Sequence, residues 1–103
     1  MKLLAVGRPA DGVDAQAAIA AHARDELRAL WSLYASGSVR EMYSPARPGA
    51  VLVLEVASID DARTALSELP LVANRIIEFE LTELRPFTAL GSLFSGQRED
   101  ELD

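Results

Sequence analysis

A chain of 103 residues has room for one domain and one core, and with half its residues apolar and a quarter charged it is too hydrophobic to stay disordered. Its net charge of -6 opposes a phosphate-binding surface, no apolar run approaches the roughly 20 residues of a bilayer span, and the absence of cysteine excludes thiolate chemistry and disulfides. The expectation is therefore a cytoplasmic protein with neither nucleic acid nor membrane as partner, because the opening MKLLAVGRPADG turns polar too soon for a signal peptide.

Residues 1–7 form a short apolar run closed by Gly-Arg-Pro, which predicts a first strand and a loop. Asp14 then offers its carboxylate as an N-cap, and residues 15–36 run without glycine or proline until Gly37, a natural residue for a helix C-terminus. On a helical wheel Ile19, Ala23, Leu27, Leu30 and Tyr34 share a stripe about 80° wide, which predicts the core face. Trp31 projects to one side of that stripe, and Leu33, Glu26 and His22 to the other.

Residues 39–43 make a brief strand, and the turn SPARPG leads into AVLVLEVA, so a β-hairpin is expected. Residues 50–57 are apolar at both parities, which predicts cover on both faces of that strand. Ser58 or Asp60 caps a second helix that is expected to reach Leu69 and to end at Pro70. Residues 75–84 alternate Ile77, Phe79 and Leu81 against Glu78, Glu80 and Thr82, the pattern of a last strand with one apolar face.

The order β-α-β-β-α-β is that of the α+β ferredoxin-like unit, an antiparallel four-stranded sheet with its helices on one face. Its other face needs a cover, and a second copy's sheet would supply one, giving a two-fold homodimer or a higher homo-oligomer. The domain is expected to occupy residues 1–94, with Phe87, Leu90 and Phe94 on a C-terminal arm packed on its own subunit or on a partner. Residues 95–103 are expected to be an acidic disordered tail.

Four segments carry a family resemblance: Leu33 to Gly37, Glu41-Met-Tyr43, Leu69-Pro-Leu71, and the run from Ile76 to Pro86. Through them the chain resembles the muconolactone isomerase-like family of small dimeric α+β barrels. The resemblance implies proton transfer on a small unsaturated cyclic substrate without metal or organic cofactor. It also places the family's helix glutamate at Glu26 and its strand histidine at Glu41, so that this chain's one histidine, His22, stands a helical turn before Glu26.

Each candidate has a functional and a plain alternative. Glu26, at the border of the apolar stripe, is either a desolvated general base or a boundary carboxylate with its head in water. His22, four residues earlier, either relays protons for it or makes only a surface contact with it. Glu41 is either catalytic or part of an interface ion pair. Trp31, Tyr34 and Tyr43 either stack on a flat ligand or serve as packing. With one histidine and no cysteine, a metal site is not expected. The sequence leaves three functions open: an isomerase-like enzyme, a non-catalytic small-molecule-binding or accessory dimer, and a cofactor-free monooxygenase or cyclase on the same barrel.

Overall fold

The computed structural model describes residues 1–94; the tail expected over residues 95–103 lies outside them. Four strands, β1 (Lys2–Pro9), β2 (Val39–Tyr43), β3 (Ala50–Glu55) and β4 (Ile77–Leu84), form one sheet in the order β2-β3-β1-β4, antiparallel at every pairing. Two main helices, α1 (Ala15–Ala35) and α2 (Ile59–Leu66), alternate with the strands, and a short α3 (Pro70–Ala73) precedes β4. This is the ferredoxin-like α+β architecture.

Local chemistry explains the boundaries. Asp14 accepts from the Ala17 N–H at 3.4 Å, and Gly37 takes φ +88° just past the helix end, where a side chain would be strained. Ser58, and not Asp60, caps α2 by accepting from the Asp61 N–H at 3.1 Å. The second helix stops three residues short of the expected Leu69. Pro70 opens α3 instead of ending α2, because a proline at the first helical position needs no N–H and already has a helical φ.

The core lies between the helices and one face of the sheet, where Leu3, Ala5, Leu52, Leu54 and Val39 meet Leu33, Ala62, Leu66 and Leu69. A second buried group, Leu71, Ile76 and Ile77, packs with Ile19 and Phe79. The opposite sheet face carries Leu4, Val6, Val51 and Val53 at its centre, half-buried and covered by no helix among the described residues. Of the two faces of β3 for which the sequence predicts cover, one lies under the helices and the other meets no element among the described residues.

Helix α1 presents a different face from the expected one. Its buried residues are Glu26 and Leu33, with Ile19, Ala29 and Leu30 beside them, while Leu27 is 66% exposed and Tyr34 is also exposed. At 100° per residue the inner face is turned by roughly 60–70° from the predicted stripe. Apolar residues surround most of the helix, so a wheel alone fixes the azimuth poorly, and the contacts of Leu33 with the sheet and of Glu26 with α3 decide it.

The C-terminal arm also differs from one alternative. It forms a 3-10 helix, Thr88–Phe94, with no buried residue, and so is not packed into its own subunit.

Candidate active site

Among the described residues, Glu26 is the buried charged side chain, 9% exposed, on the inner face of α1. Its Oε1 accepts from the Leu71 N–H at 3.0 Å. That donor is oriented by α3, whose first residue, Pro70, has no N–H to compete. Burial pushes the Glu26 carboxyl above its ordinary range, opposed by the Leu71 hydrogen bond and by the charge of His22.

A cavity of about 360 Å³ opens beside this carboxylate between α1 and the sheet. Ile19 and Leu30 line it from α1, Leu52, Ile77 and Phe79 from the strands, and Leu71 from α3. Its size falls within the roughly 300–1,000 Å³ of small-molecule pockets, and an apolar wall with one carboxylate is the composition such pockets use.

Two glycines shape the cavity end of the sheet. A Cβ on Gly7 would lie 2.8 Å from the Phe79 ring, so glycine lets that ring cross β1. Gly49, at φ +137°, brings the chain against the Gly7 carbonyl, where a Cβ would stand 2.2 Å from the oxygen. Glycine at both positions lets β3 enter beside β1 and keeps Phe79 at the wall.

The structure brings two of the sequence candidates to this cavity and leaves four elsewhere. Glu26 lines it, and Tyr43 borders it from β2 while its register partner Val51 and its hydroxyl's acceptor Glu41 lie on the open face. His22 stands half-buried one turn from Glu26 and influences it electrostatically, but is not part of the lining. Trp31 and Tyr34 lie on the outward side of α1, with ring centroids 5.9 Å apart, also outside the lining.

Glu41 is turned away by a β-bulge. The register of β2 against β3 shifts between Val39 and Glu41, so Val39 pairs Leu54 while Glu41 pairs Val53 and Met42 pairs Leu52. One extra residue reverses the parity of everything after it. Val39 therefore faces the core, Met42 lines the cavity, and Glu41 shares the open face with Val53. There Glu41 accepts from the Tyr43 hydroxyl at 2.5 Å, and this bond, with the Glu41 charge, holds the phenol above its ordinary pKa.

Sequence reasoning missed Met42, Phe79 and the Leu71 N–H. Phe79 and Leu71 were visible as apolar positions; the bulge that admits Met42 and the backbone donor had no sequence signal. No group of three or more histidine, aspartate or glutamate side chains with metal-binding geometry occurs among the described residues, and no helix there is long and apolar enough to cross a membrane.

No protein-family model and no curated protein matches the chain. Among solved structures it is similar to 5-chloro-2-hydroxyhydroquinone dehydrochlorinase (TftG) from Burkholderia phenoliruptrix, in complex with 2,5-dihydroxybenzoquinone, with a TM-score of 0.64. The alignment covers 82% of this chain and 94% of that one at 14% sequence identity. At that identity the likeness shows the fold alone, the ferredoxin-like α+β unit.

Proposed function

We propose that the chain is a cofactor-independent enzyme that moves a proton on a small unsaturated cyclic substrate, in the manner of a muconolactone isomerase, with Glu26 as the general base. The observation that carries this reading is a buried carboxylate of raised pKa beside an apolar cavity of about 360 Å³. A base that is desolvated and fixed by a hydrogen bond is matched to proton abstraction near neutral pH better than a solvated glutamate. The Leu71 N–H engages Oε1, which leaves Oε2 to take the proton.

The chemistry needs a C–H bond next to a carbonyl, with a carbon–carbon double bond in conjugation. Glu26 takes that proton, the bonding electrons pass into a dienolate as the double bond shifts, and the protonated carboxyl returns the proton at the far carbon of the conjugated system. Leu30, Met42 and Phe79 exclude water while the charge is on the ligand. A single ring fits the cavity, and the fold neighbour's dihydroxybenzoquinone supports this class of ligand. Proton abstraction would also begin an elimination, so the base assignment does not depend on which product leaves.

A non-catalytic binding protein is the second reading, favoured by the placement of Glu41 on the open face and His22 outside the lining, which leaves Glu26 as the cavity's one ionised group among the described lining residues. In either case two copies pair through the Leu4, Val6, Val51 and Val53 face, and the protein works in the cytoplasm.

Deuterium exchange separates the readings. A five-membered unsaturated lactone is incubated in D2O with the protein, and loss of its acidic C–H signal is followed by NMR. The wild type is expected to accelerate exchange, and Glu26→Gln to lose about 10²–10⁴-fold of that rate while still binding 2,5-dihydroxybenzoquinone. Equal exchange by both proteins would remove Glu26 as the base; binding without exchange in the wild type would favour the second reading.

A further inference from the structure

Among the described residues, the back of α1 and the C-terminal arm carry the most exposed large apolar side chains. Leu27 and Trp31 are 66% and 65% exposed, and with Ala23 and Ser32 they line an open groove flanked by Arg24 and Arg28. On the arm, Phe87 is 75% exposed, Leu93 74%, and Leu90 and Phe94 more than half. In a 3-10 helix residues three apart lie above one another, so Leu90 and Leu93, in line with Phe87 just ahead of the helix, make one apolar ridge. The described residues extend 62 Å along their longest axis, about twice the roughly 31 Å of a 21-residue helix, so the molecule reaches well beyond its own body.

We infer that this ridge docks into the Leu27–Trp31 groove of a second copy of the chain. The two surfaces match in length: the six steps from Phe87 to Leu93 at 3-10 spacing rise about 12 Å, and the eight steps from Ala23 to Trp31 on an α-helix also rise about 12 Å. They match in charge as well. The sequence that follows the arm contains Glu99, Asp100, Glu101 and Asp103 against one basic residue, Arg98, and the groove is flanked by two arginines.

The same charge argument sets the arm's destination apart from the open sheet face. That face has an apolar centre too, but Glu41, Glu55, Glu78 and Glu80 lie around it against Lys2, Arg8 and the N-terminal ammonium, with Arg8 paired with Glu80 at 3.6 Å and the ammonium with Glu55 at 2.8 Å. An acidic extension therefore meets excess negative charge there and two arginines at the back of α1. The groove and the sheet face lie on opposite sides of the domain, so arm docking is a contact between copies separate from sheet pairing, and with the Glu26 cavity the groove shares only Leu27. It also accounts for a helix whose outer face carries leucine and tryptophan where solvated residues are the rule.

Trp31 is the only tryptophan, so its fluorescence reports directly on the groove. Two full-length variants are made. One, Trp31→Phe, keeps the arm and loses the reporter; the other, Leu90→Asp with Leu93→Asp, keeps the reporter and loses the ridge. The substituted side chains are exposed, so both variants are expected to fold, which circular dichroism checks. The arm variant alone should show water-exposed, red-shifted emission, and adding an excess of the Trp31→Phe chain should shift that emission to the blue and protect it from iodide quenching. Only an arm from another copy produces that change. Unchanged emission on mixing would overturn the proposal, as would an arm variant whose Trp31 is already blue-shifted and shielded, because some other surface then covers the groove.

Discussion

The two faces of the sheet contain similar aliphatic residues and have opposite fates. On one, Leu52 and Leu54 lie under the helices at 1% exposure; on the other, their immediate neighbours Val51 and Val53 remain half-buried with no element above them. The helix-covered face holds the cavity and Glu26, and carries the chemistry in the proposed function. The open face is met by no other element among the described residues, and in the proposed dimer it is the face that pairs.

Substitutions at adjacent residues test this division most strongly. Leu52→Asp places an unpaired charge in the closed core and is expected to unfold the chain, a loss of more than about 4 kcal/mol that thermal denaturation would register as an absent transition. In the Leu90→Asp, Leu93→Asp background, where the arm no longer docks, Val53→Asp is expected to leave the far-UV circular dichroism intact and to bring the sedimenting mass to the 11.1 kDa of one chain. If both variants unfold, or if the Val53→Asp protein keeps the wild-type mass, the division between the faces fails.

Within the closed face, Glu26 separates a structural role from a chemical one. Glu26→Leu leaves the Leu71 N–H without its acceptor and is expected to be about 1–3 kcal/mol less stable than Glu26→Gln, whose amide oxygen can replace Oε1. The pH dependence has a definite sign. Because burial raises the folded pKa above the unfolded value of about 4.3, the stability linked to protonated Glu26 is complete below that value and is lost as the pH rises through the folded pKa. Glu26→Gln should therefore melt at or above the wild type at pH 7, with the gap closing below about pH 4. A Glu26→Gln protein that melts lower at pH 7 would show that the charged form is the stabilised one.

The smallest effect is expected on the back of α1. Trp31→Ala removes a side chain 65% exposed within its own chain, so at concentrations where the chain is monomeric the unfolding free energy should change by no more than about 0.5 kcal/mol. A larger loss would place Trp31 in the core of its own subunit.

Glu26 shows how far one residue's role can be read in advance. Its position near the edge of an apolar helix face was legible, as was the possibility of desolvation. Its anchor was not, because the Leu71 N–H lies 45 residues away and a backbone donor has no side-chain signature. Glu41 shows the opposite case. Strict alternation would put it on the same side as Val39, under α1, and a single-residue bulge in β2 sends it to the open face and gives Met42 the cavity.

By itself the sequence determined the element order, the cap at Asp14, the helix end at Gly37, the two-sided apolar character of residues 50–57 and the one-sided pattern of β4. All of these depend on neighbours within a turn or a few strand positions, where backbone geometry and side-chain period act directly. The tertiary structure decided the azimuth of α1, the parity of β2 after its bulge, the use of Pro70 as a helix start, and the cavity itself. Those outcomes depend on which distant surfaces meet. A helix apolar around most of its circumference has several near-equivalent ways to lie on a sheet, and only the fit of Leu33 into the core and of Glu26 onto the Leu71 N–H selects one.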